Sequence, residues 1–215
     1  MLTTTFDHLV FGSYSLRDGV DFMAEQLGVR PRPGGQHLTM GTHNAVLKLA
    51  GATYLEVIAI DPDLPKPARS RWFGLDHLQP GSPPRLLTWV VSTNDAQRAV
   101  RLSPFQPGNV ESLRRGAYQW QISIPEDGRM PLRGIAPTVI QWQGESHPAR
   151  VLPPSGITLA AMEARHPHAD RLNAWLHEIG YDGIFTAVPT HDDEPGGLTV
   201  TLRSPSGTVT FASRG

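Results

Sequence analysis

The sequence contains no cysteine. That removes disulfide staples, thiolate nucleophiles and thiolate metal ligands, and it suits a reducing cytoplasm, the expected location. Neither sign of charge is in excess: 19 Lys+Arg stand against 20 Asp+Glu, a formal net of -1. Nothing in this balance attracts a polyanion, so nucleic acid is not an expected partner. No apolar run approaches the ~20 residues that span a bilayer, so no membrane partner is expected either. The opening Met1-Leu2-Thr3-Thr4-Thr5 lacks the basic and long apolar regions of a signal peptide. There is no Gly-rich phosphate loop and no Gly-x-Ser-x-Gly nucleophile elbow. Aromatic residues are only 7% of the chain, yet five of them are Trp, so the placement of those five matters.

What is present is 215 residues, with 21 Gly and 20 Pro. The length allows one domain or two small ones, and the Gly and Pro content favours short elements joined by turns. Phe6 to Phe11 alternates as a strand, with Phe6, His8 and Val10 on one face. Ser15 can cap a helix whose apolar stripe is Leu16, Val20, Met23 and Leu27, and Gly28 can end it. Residues 31–35 read as a loop. Strands are expected at His37–Met40 and Ala45–Leu49 around a turn at Gly41-Thr42-His43-Asn44, and at Tyr54–Ile60. The order so far is β-α-β-β-β.

Residues 61–84 read as a Pro-rich connection. Leu86–Ser92 is a strand centred on Trp89, followed by a short helix through Leu102, a loop over 103–116, and strands at Tyr118–Ile124 and Thr138–Trp142. Ile157–Glu163 is a further strand and His168–Ile179 a helix. A hairpin closes the chain around Ser204-Pro205-Ser206-Gly207. Shifting the chain so that Gly28 falls on Gly180 superposes strand, helix stripe and terminal Gly, a weak internal repeat. In that alignment His8 meets Ala160, so the polar chemistry falls in the first copy. The expected organisation is one compact domain: residues 1–62 as the first βαβββ module, 63–150 as connection and middle strands, and 151–215 as a degenerate second module.

His8 and Glu56 are the leading candidates, since each sits mid-strand among apolar neighbours and a buried polar group must be paired or bind something. An imidazole and a carboxylate meeting on adjacent strands make half of a mixed N/O metal site, suited to Zn, Fe, Mn, Co or Ni. Without metal the same pair can exchange protons, and the plain alternative is a His–Glu hydrogen bond joining two strands. Gln141 and His147 are candidates for a further ligand or a substrate contact, against an exposed strand face and a loop His beside Pro. His43 and Asn44 can offer donors to a pocket or simply make an Asx-type turn. Trp89 and Trp142 can wall a cavity or fill the core. His166-Pro167-His168 has the look of a chelate but reads more simply as a helix cap. The acidic run from His191 to Gly196 reads as solvated loop.

Asp7-His8-Leu9-Val10, the helix ending Leu27-Gly28-Val29, Gly41-Thr42-His43-Asn44-Ala45 and Tyr54-Leu55-Glu56-Val57-Ile58 together resemble the glyoxalase-like domain family of the vicinal oxygen chelate superfamily. Leu132 through Pro137 and Ile140-Gln141-Trp142 through His147-Pro148-Ala149 resemble it further on. The resemblance implies an α+β fold in which paired βαβββ modules curl mixed sheets around a cleft. It implies a divalent metal bound by a first-strand His and a last-strand Glu of each module, and of these positions only His8 and Glu56 match, with His147 as a candidate further ligand. The implied activity is that of a metal-dependent lyase or isomerase acting on a small oxygenated metabolite, through vicinal-oxygen chelation or an enolate. His8 and Glu56 would be catalytic, and His43, Asn44, Trp89, Gln141, Trp142 and His147 would contact substrate. The rival is a metal-free protein that binds or sequesters a small molecule in the same cleft. A homodimer is expected because open curled sheets leave edges to cover.

Overall fold

The computed structural model describes residues 1–191 and 196–213. The chain opens with β1 (Thr4–Gly12), α1 (Leu16–Leu27), β2 (Arg32–His37), β3 (Thr42–Lys48) and β4 (Tyr54–Ile60). A second set follows: β5 (Arg85–Thr93), α2 (Ala96–Leu102), β6 (Asn109–Arg115), β7 (Tyr118–Ile124) and β8 (Thr138–Gln143). The rest is α3 (Pro148–Val151), β9 (Thr158–Arg165), α4 (Ala169–Glu178), β10 (Tyr181–Asp182), β11 (Thr186–Val188), β12 (Gly197–Ser204) and β13 (Gly207–Ala212). Among the described residues, no helix is long and apolar enough to cross a membrane.

Helix α1 forms where the sequence places its signals. The Ser15 hydroxyl accepts the Asp18 N–H at 3.3 Å, Val20, Met23 and Leu27 are buried, and Gly28 ends the helix at φ 70. That left-handed conformation is open to glycine at little steric cost.

The two β-α-β-β-β modules share one mixed sheet in the order β2-β3-β4-β1-β5-β8-β7-β6, with β10 alongside β1. Each module reads first, fourth, third, second strand outward from the centre, so an approximate twofold axis runs between β1 and β5. The sheet curls into a half-barrel. Its inner face carries Val10, Ile58, Val90, Trp120, Ile122 and Ile140, capped by Trp72 and Phe73. Its outer face, with Leu9, Phe11, Leu55, Val57, Trp89 and Val91, packs on the helices and on a second sheet of order β11-β9-β12-β13. Paired modules around a cleft are therefore present as expected.

The partner of the first module is residues 85–143, not 151–215. The repeat that aligned Gly28 with Gly180 matched a strand and a helix stripe. In the second sheet, however, β9 lies between β11 and β12 with the last strand, β13, at the edge, whereas β1 lies directly beside β4, the last strand of its module. Three local readings also shift. Residues 32–37 form a strand despite Pro33, Gly34 and Gly35, because β2 is an edge. Strand β3 begins at Thr42, so His43 and Asn44 lie in a strand, not at the tip of a turn. Residues 109–115 form β6, whose polar pattern, Asn-Val-Glu-Ser-Leu-Arg-Arg, is that of a charged edge strand and hides its periodicity. Of the acidic run from His191 to Gly196, residues 192–195 lie outside the described residues.

Trp89 belongs to the outer face. It is fully buried, its indole N–H donates to the Ile135 carbonyl at 2.8 Å, and its ring stacks on Phe185 at 4.7 Å. Trp89→Phe removes that donor and leaves a cavity, and should lower unfolding free energy by about 2–4 kcal/mol in urea titrations. Ligand binding in the cleft should be unchanged, and a change there would refute this placement.

Candidate active site

The cleft is built around an irregularity in β1. Phe6 pairs with Val91 and His8 with Val90, so Asp7 has no partner on β5 and the strand bulges. A bulge re-aims side chains. Simple alternation sets Asp7 and His8 on opposite faces, but here the Asp7 carboxylate turns toward the same cleft as His8.

Asp7 is 2% exposed and gathers three N–H groups. Its Oδ1 lies 2.6 Å from His8 Nδ1, and its Oδ2 accepts from Trp142 Nε1 at 2.9 Å and lies 3.2 Å from His147 Nε2. Burial alone would raise its pKa, but the hydrogen bonds from His147 and His8 outweigh burial and hold it down at about 2. The carboxylate is thus ionised at neutral pH, and the tautomers around it follow. His147 Nδ1 accepts the Ala149 N–H at 3.2 Å, so its Nε2 carries the proton given to Asp7. His8 gives Asp7 its Nδ1–H, which leaves the Nε2 lone pair facing the cleft, 3.7 Å from Glu56 Oε2. Tyr54 stacks on the His8 ring at 4.3 Å and fixes its plane.

A second chain of bonds holds Glu56. Its Oε1 accepts from Asn44 Nδ2 at 2.5 Å. Asn44 Oδ1 in turn accepts from the Gly35 N–H at 3.0 Å and from Arg115 Nη1 at 2.9 Å, which fixes the orientation of the amide. Arg115 Nη1 also lies 3.1 Å from His37 Nε2. Burial first, and then the Arg115 charge, push the His37 pKa down to about 3, so it is a neutral acceptor there. Burial, with Asp7 and Glu56 nearby, keeps the Tyr54 hydroxyl protonated. Among the described residues that hydroxyl takes no hydrogen bond. Of these residues His8, His37, Asn44, Tyr54, Glu56 and Arg115, with Trp72, Trp120 and Trp142, line one narrow cleft, and Asp7 and His147 stand behind it.

Of the residues singled out in the sequence, the structure brings His8, Glu56, Asn44, Trp142 and His147 together. It does not bring the other three. Gln141 points to the outer face, where its Oε1 accepts the Ala96 N–H at the start of α2 at 2.9 Å. His43 lies beside Asp61 at 3.5 Å in a separate groove with Tyr14 and Arg17. Trp89 is in the outer core. His166 and His168 form no chelate: His166 Nδ1 accepts the His168 N–H at 3.0 Å in the turn leading into α4. The sequence reading missed Asp7, Tyr54, His37 and Arg115 as site residues. Asp7 adjoins His8 and was visible, but only the bulge turns it inward. Arg115 was hidden in a segment read as loop.

The donor set does not complete a metal centre. His8 Nε2 and Glu56 Oε2 are two suitable atoms, whereas catalytic metal sites are generally held by three protein ligands. Both nitrogens of His147 are committed, so it is not the third. The twofold relation, fixed by the helix caps Ser15 and Asp95, carries His8 onto Thr88. Equal strand registers, Val10 with Glu56 and Val90 with Thr138, carry Glu56 onto Thr138. The second module thus offers hydroxyls where a ligand pair would stand, and the Thr88 hydroxyl already donates to the Gly134 carbonyl at 3.0 Å. Among the described residues, no group of three or more His, Asp or Glu side chains is placed to hold an ion.

A profile of the Glyoxalase-like domain family matches residues 6–180. The chain belongs to that family. Its fold is the paired-module fold of the vicinal oxygen chelate superfamily. A hypothetical protein from Staphylococcus aureus is similar over 98% of this chain and 86% of its own, at 14% identity and a TM-score of 0.56. Methylmalonyl-CoA epimerase from Mycobacterium tuberculosis is similar over 66% of this chain and 88% of its own, at 14% identity and a TM-score of 0.42. A variant of the Streptomyces coelicolor methylmalonyl-CoA epimerase, in complex with 2-nitronate-propionyl-CoA, is similar over 67% of this chain and 100% of its own, at 16% identity and a TM-score of 0.43. No curated protein matches the chain. As a member of this family, the protein departs from the ligand pattern its resemblance implied: one module carries the His and Glu, and the other carries two Thr.

Two predictions come from this geometry. Asp7 has a lowered folded-state pKa, so its stabilisation is present above the unfolded value near 4 and is lost as pH falls toward 2. Urea unfolding of wild type between pH 6 and pH 2 should show a loss, on the order of 2 kcal/mol, that Asp7→Asn lacks. Identical pH slopes for the two proteins would refute the assignment. Separately, a Cβ on Gly34 would stand 2.1 Å from Asn44 Oδ1. Gly34→Ala should displace Asn44 and release Glu56, weakening cleft ligands at least tenfold. Its thermal midpoint should fall by only a few degrees.

Proposed function

We propose that this glyoxalase-like protein is an enzyme of isomerase or lyase type that removes and returns a proton on a small oxygenated substrate held in the cleft. The observation that supports this reading is the Asp7–His8 pair, with the free His8 Nε2 facing Glu56 Oε2 across 3.7 Å. Both acceptor atoms belong to side chains that line the cleft, so one substrate group seated beside the pair can meet the two together. The ionised Asp7 takes the Nδ1–H of His8 and so turns the Nε2 lone pair to the cleft, the orientation a base needs.

In this reading His8 Nε2 takes the proton from a carbon next to a carbonyl. The electron pair moves onto the carbonyl oxygen, where the Tyr54 hydroxyl can donate to it. Collapse of the enolate then either recovers the proton at carbon, an isomerisation, or expels a leaving group, an elimination. Glu56, oriented by Asn44, accepts a hydroxyl of the substrate or carries the second proton.

A metal-assisted form of the same chemistry would use His8 and Glu56 as its two protein ligands. The missing third ligand counts against it, and no step here depends on it.

The test is exchange of the α-proton for deuterium in D2O, followed by NMR over a panel of enolisable and vicinal-oxygen compounds. Wild type should exchange at least one of them. His8→Ala should slow that exchange by about 10²–10⁴-fold and Glu56→Gln by a smaller factor. Chelator treatment, with metal content measured in parallel, should leave the rate unchanged. Binding without exchange by any compound would overturn the proposal in favour of a sequestering protein. Loss of exchange on chelation, restored by a divalent ion, would overturn the metal-free form.

A further inference from the structure

Arg115 is the cation that lines the cleft, and among the described residues no carboxylate is ion-paired with it. The neighbouring Arg69 and Arg71 are each ion-paired, with Glu111 and with Asp76, at 2.6 Å in both cases. Arg115 instead spends Nη1 on two neutral acceptors, His37 Nε2 and Asn44 Oδ1. Among the described residues its Nε and Nη2 take no hydrogen bond. These are the atoms with which a guanidinium grips a carboxylate through two parallel bonds.

The chain also clears space for this arrangement. A Cβ on Gly35 would meet Arg115 Cδ at 3.0 Å, and one on Gly34 would strike Asn44 Oδ1. The two glycines of edge strand β2 let the Arg115 stem cross from β6 to the mouth of the cleft. The charge sits at the opposite side of the Asn44 relay from Glu56, so an anion held by Arg115 is kept apart from the Glu56 carboxylate by the length of that relay. Trp72, Trp120 and Trp142 line the same cleft and give an apolar wall for a short carbon skeleton.

We infer that the substrate is a small carboxylate, gripped by Nε and Nη2 of Arg115 so that its oxygenated carbon lies toward His8 and Glu56. This rests on the reading of the cleft as a proton-transfer site, and it adds the class of molecule that the site selects. Arg115 is a binding residue in this account and takes no part in the proton transfer.

The experiment is a titration of intrinsic Trp fluorescence with pyruvate, oxalate and malonate, and with their amides pyruvamide, oxamide and malonamide. Trp72, Trp120 and Trp142 line the cleft and report occupancy. At least one carboxylate should bind wild type tenfold or more tightly than its amide. Arg115→Gln should weaken that carboxylate at least tenfold and leave the amide within threefold. Arg115→Lys should recover only part of the loss, because a point charge lacks the fork. Arg114→Gln, an exposed neighbour on the same strand, should bind as wild type does. Urea midpoints of all variants separate lost binding from lost folding. No carboxylate binding, equal binding of acid and amide, or carboxylate affinity unchanged in Arg115→Gln would each overturn the inference. His8→Ala distinguishes the two proposals: it should slow deuterium exchange by about 10²–10⁴-fold while keeping carboxylate affinity within threefold. Arg115-dependent binding with no exchange by wild type supports the anion site and sinks the proton-transfer reading. Exchange of neutral compounds undiminished in Arg115→Gln does the reverse.

Discussion

One buried carboxylate organises the cleft end of this molecule. Asp7 sits in a bulge of the central strand and collects N–H groups from β1, from β8 and from the turn before α3. A buried anion without partners costs several kcal/mol. The positions of His8, Trp142 and His147 are therefore tied together by a shared penalty. Moving any one of them leaves charge uncompensated in a dry site. That constraint fixes which nitrogen of His8 is free, and through it what the cleft can do. Glu56 is held from the other direction, by an amide whose own orientation is set by a backbone N–H and a guanidinium. Two short relays, one starting at an anion and one at a cation, thus converge on a gap a few ångströms wide.

The rest of the fold serves those relays. Module pairing brings the first strands side by side, so the bulge lies at the centre of a sheet with both faces buried. The second sheet and the helices press on the outer face, which stiffens β1 and β4 from behind. Trp89 and Gln141 belong to that support. One indole N–H ties β5 to the carbonyl that precedes β8, and one side-chain amide caps α2. Both residues looked like cleft residues in sequence because they sit mid-strand. Strand alternation assigns faces in pairs, however, and does not say which face is inner.

Much of the first module was legible. The alternation of β1, the capped stripe of α1 and the apolar run of β4 gave their elements, and His8 and Glu56 stood out because each is polar in an apolar context. What was hidden had physical causes. A bulge leaves no trace in composition, so Asp7 was placed on the wrong face. Edge strands tolerate Pro, Gly and charge, so β2 and β6 read as loops and Arg115 with them. The module boundary was misplaced because a strand, a helix and a terminal glycine recur in β9 and α4, although the strand order around them differs. The true second module carries Thr88 and Thr138 at the matching positions. Neither residue is unusual in a strand, and only the pairing register identifies them.

The two outer strands of the half-barrel, β2 and β6, face each other without a backbone ladder between them. The Arg115 bonds to His37 and Asn44 span that seam. A ladder of main-chain bonds would open only when the sheet unfolds. A clasp of two side-chain bonds costs only on the order of a few kcal/mol to release. Strand pairing therefore holds the half-barrel everywhere except along this seam, which side chains close.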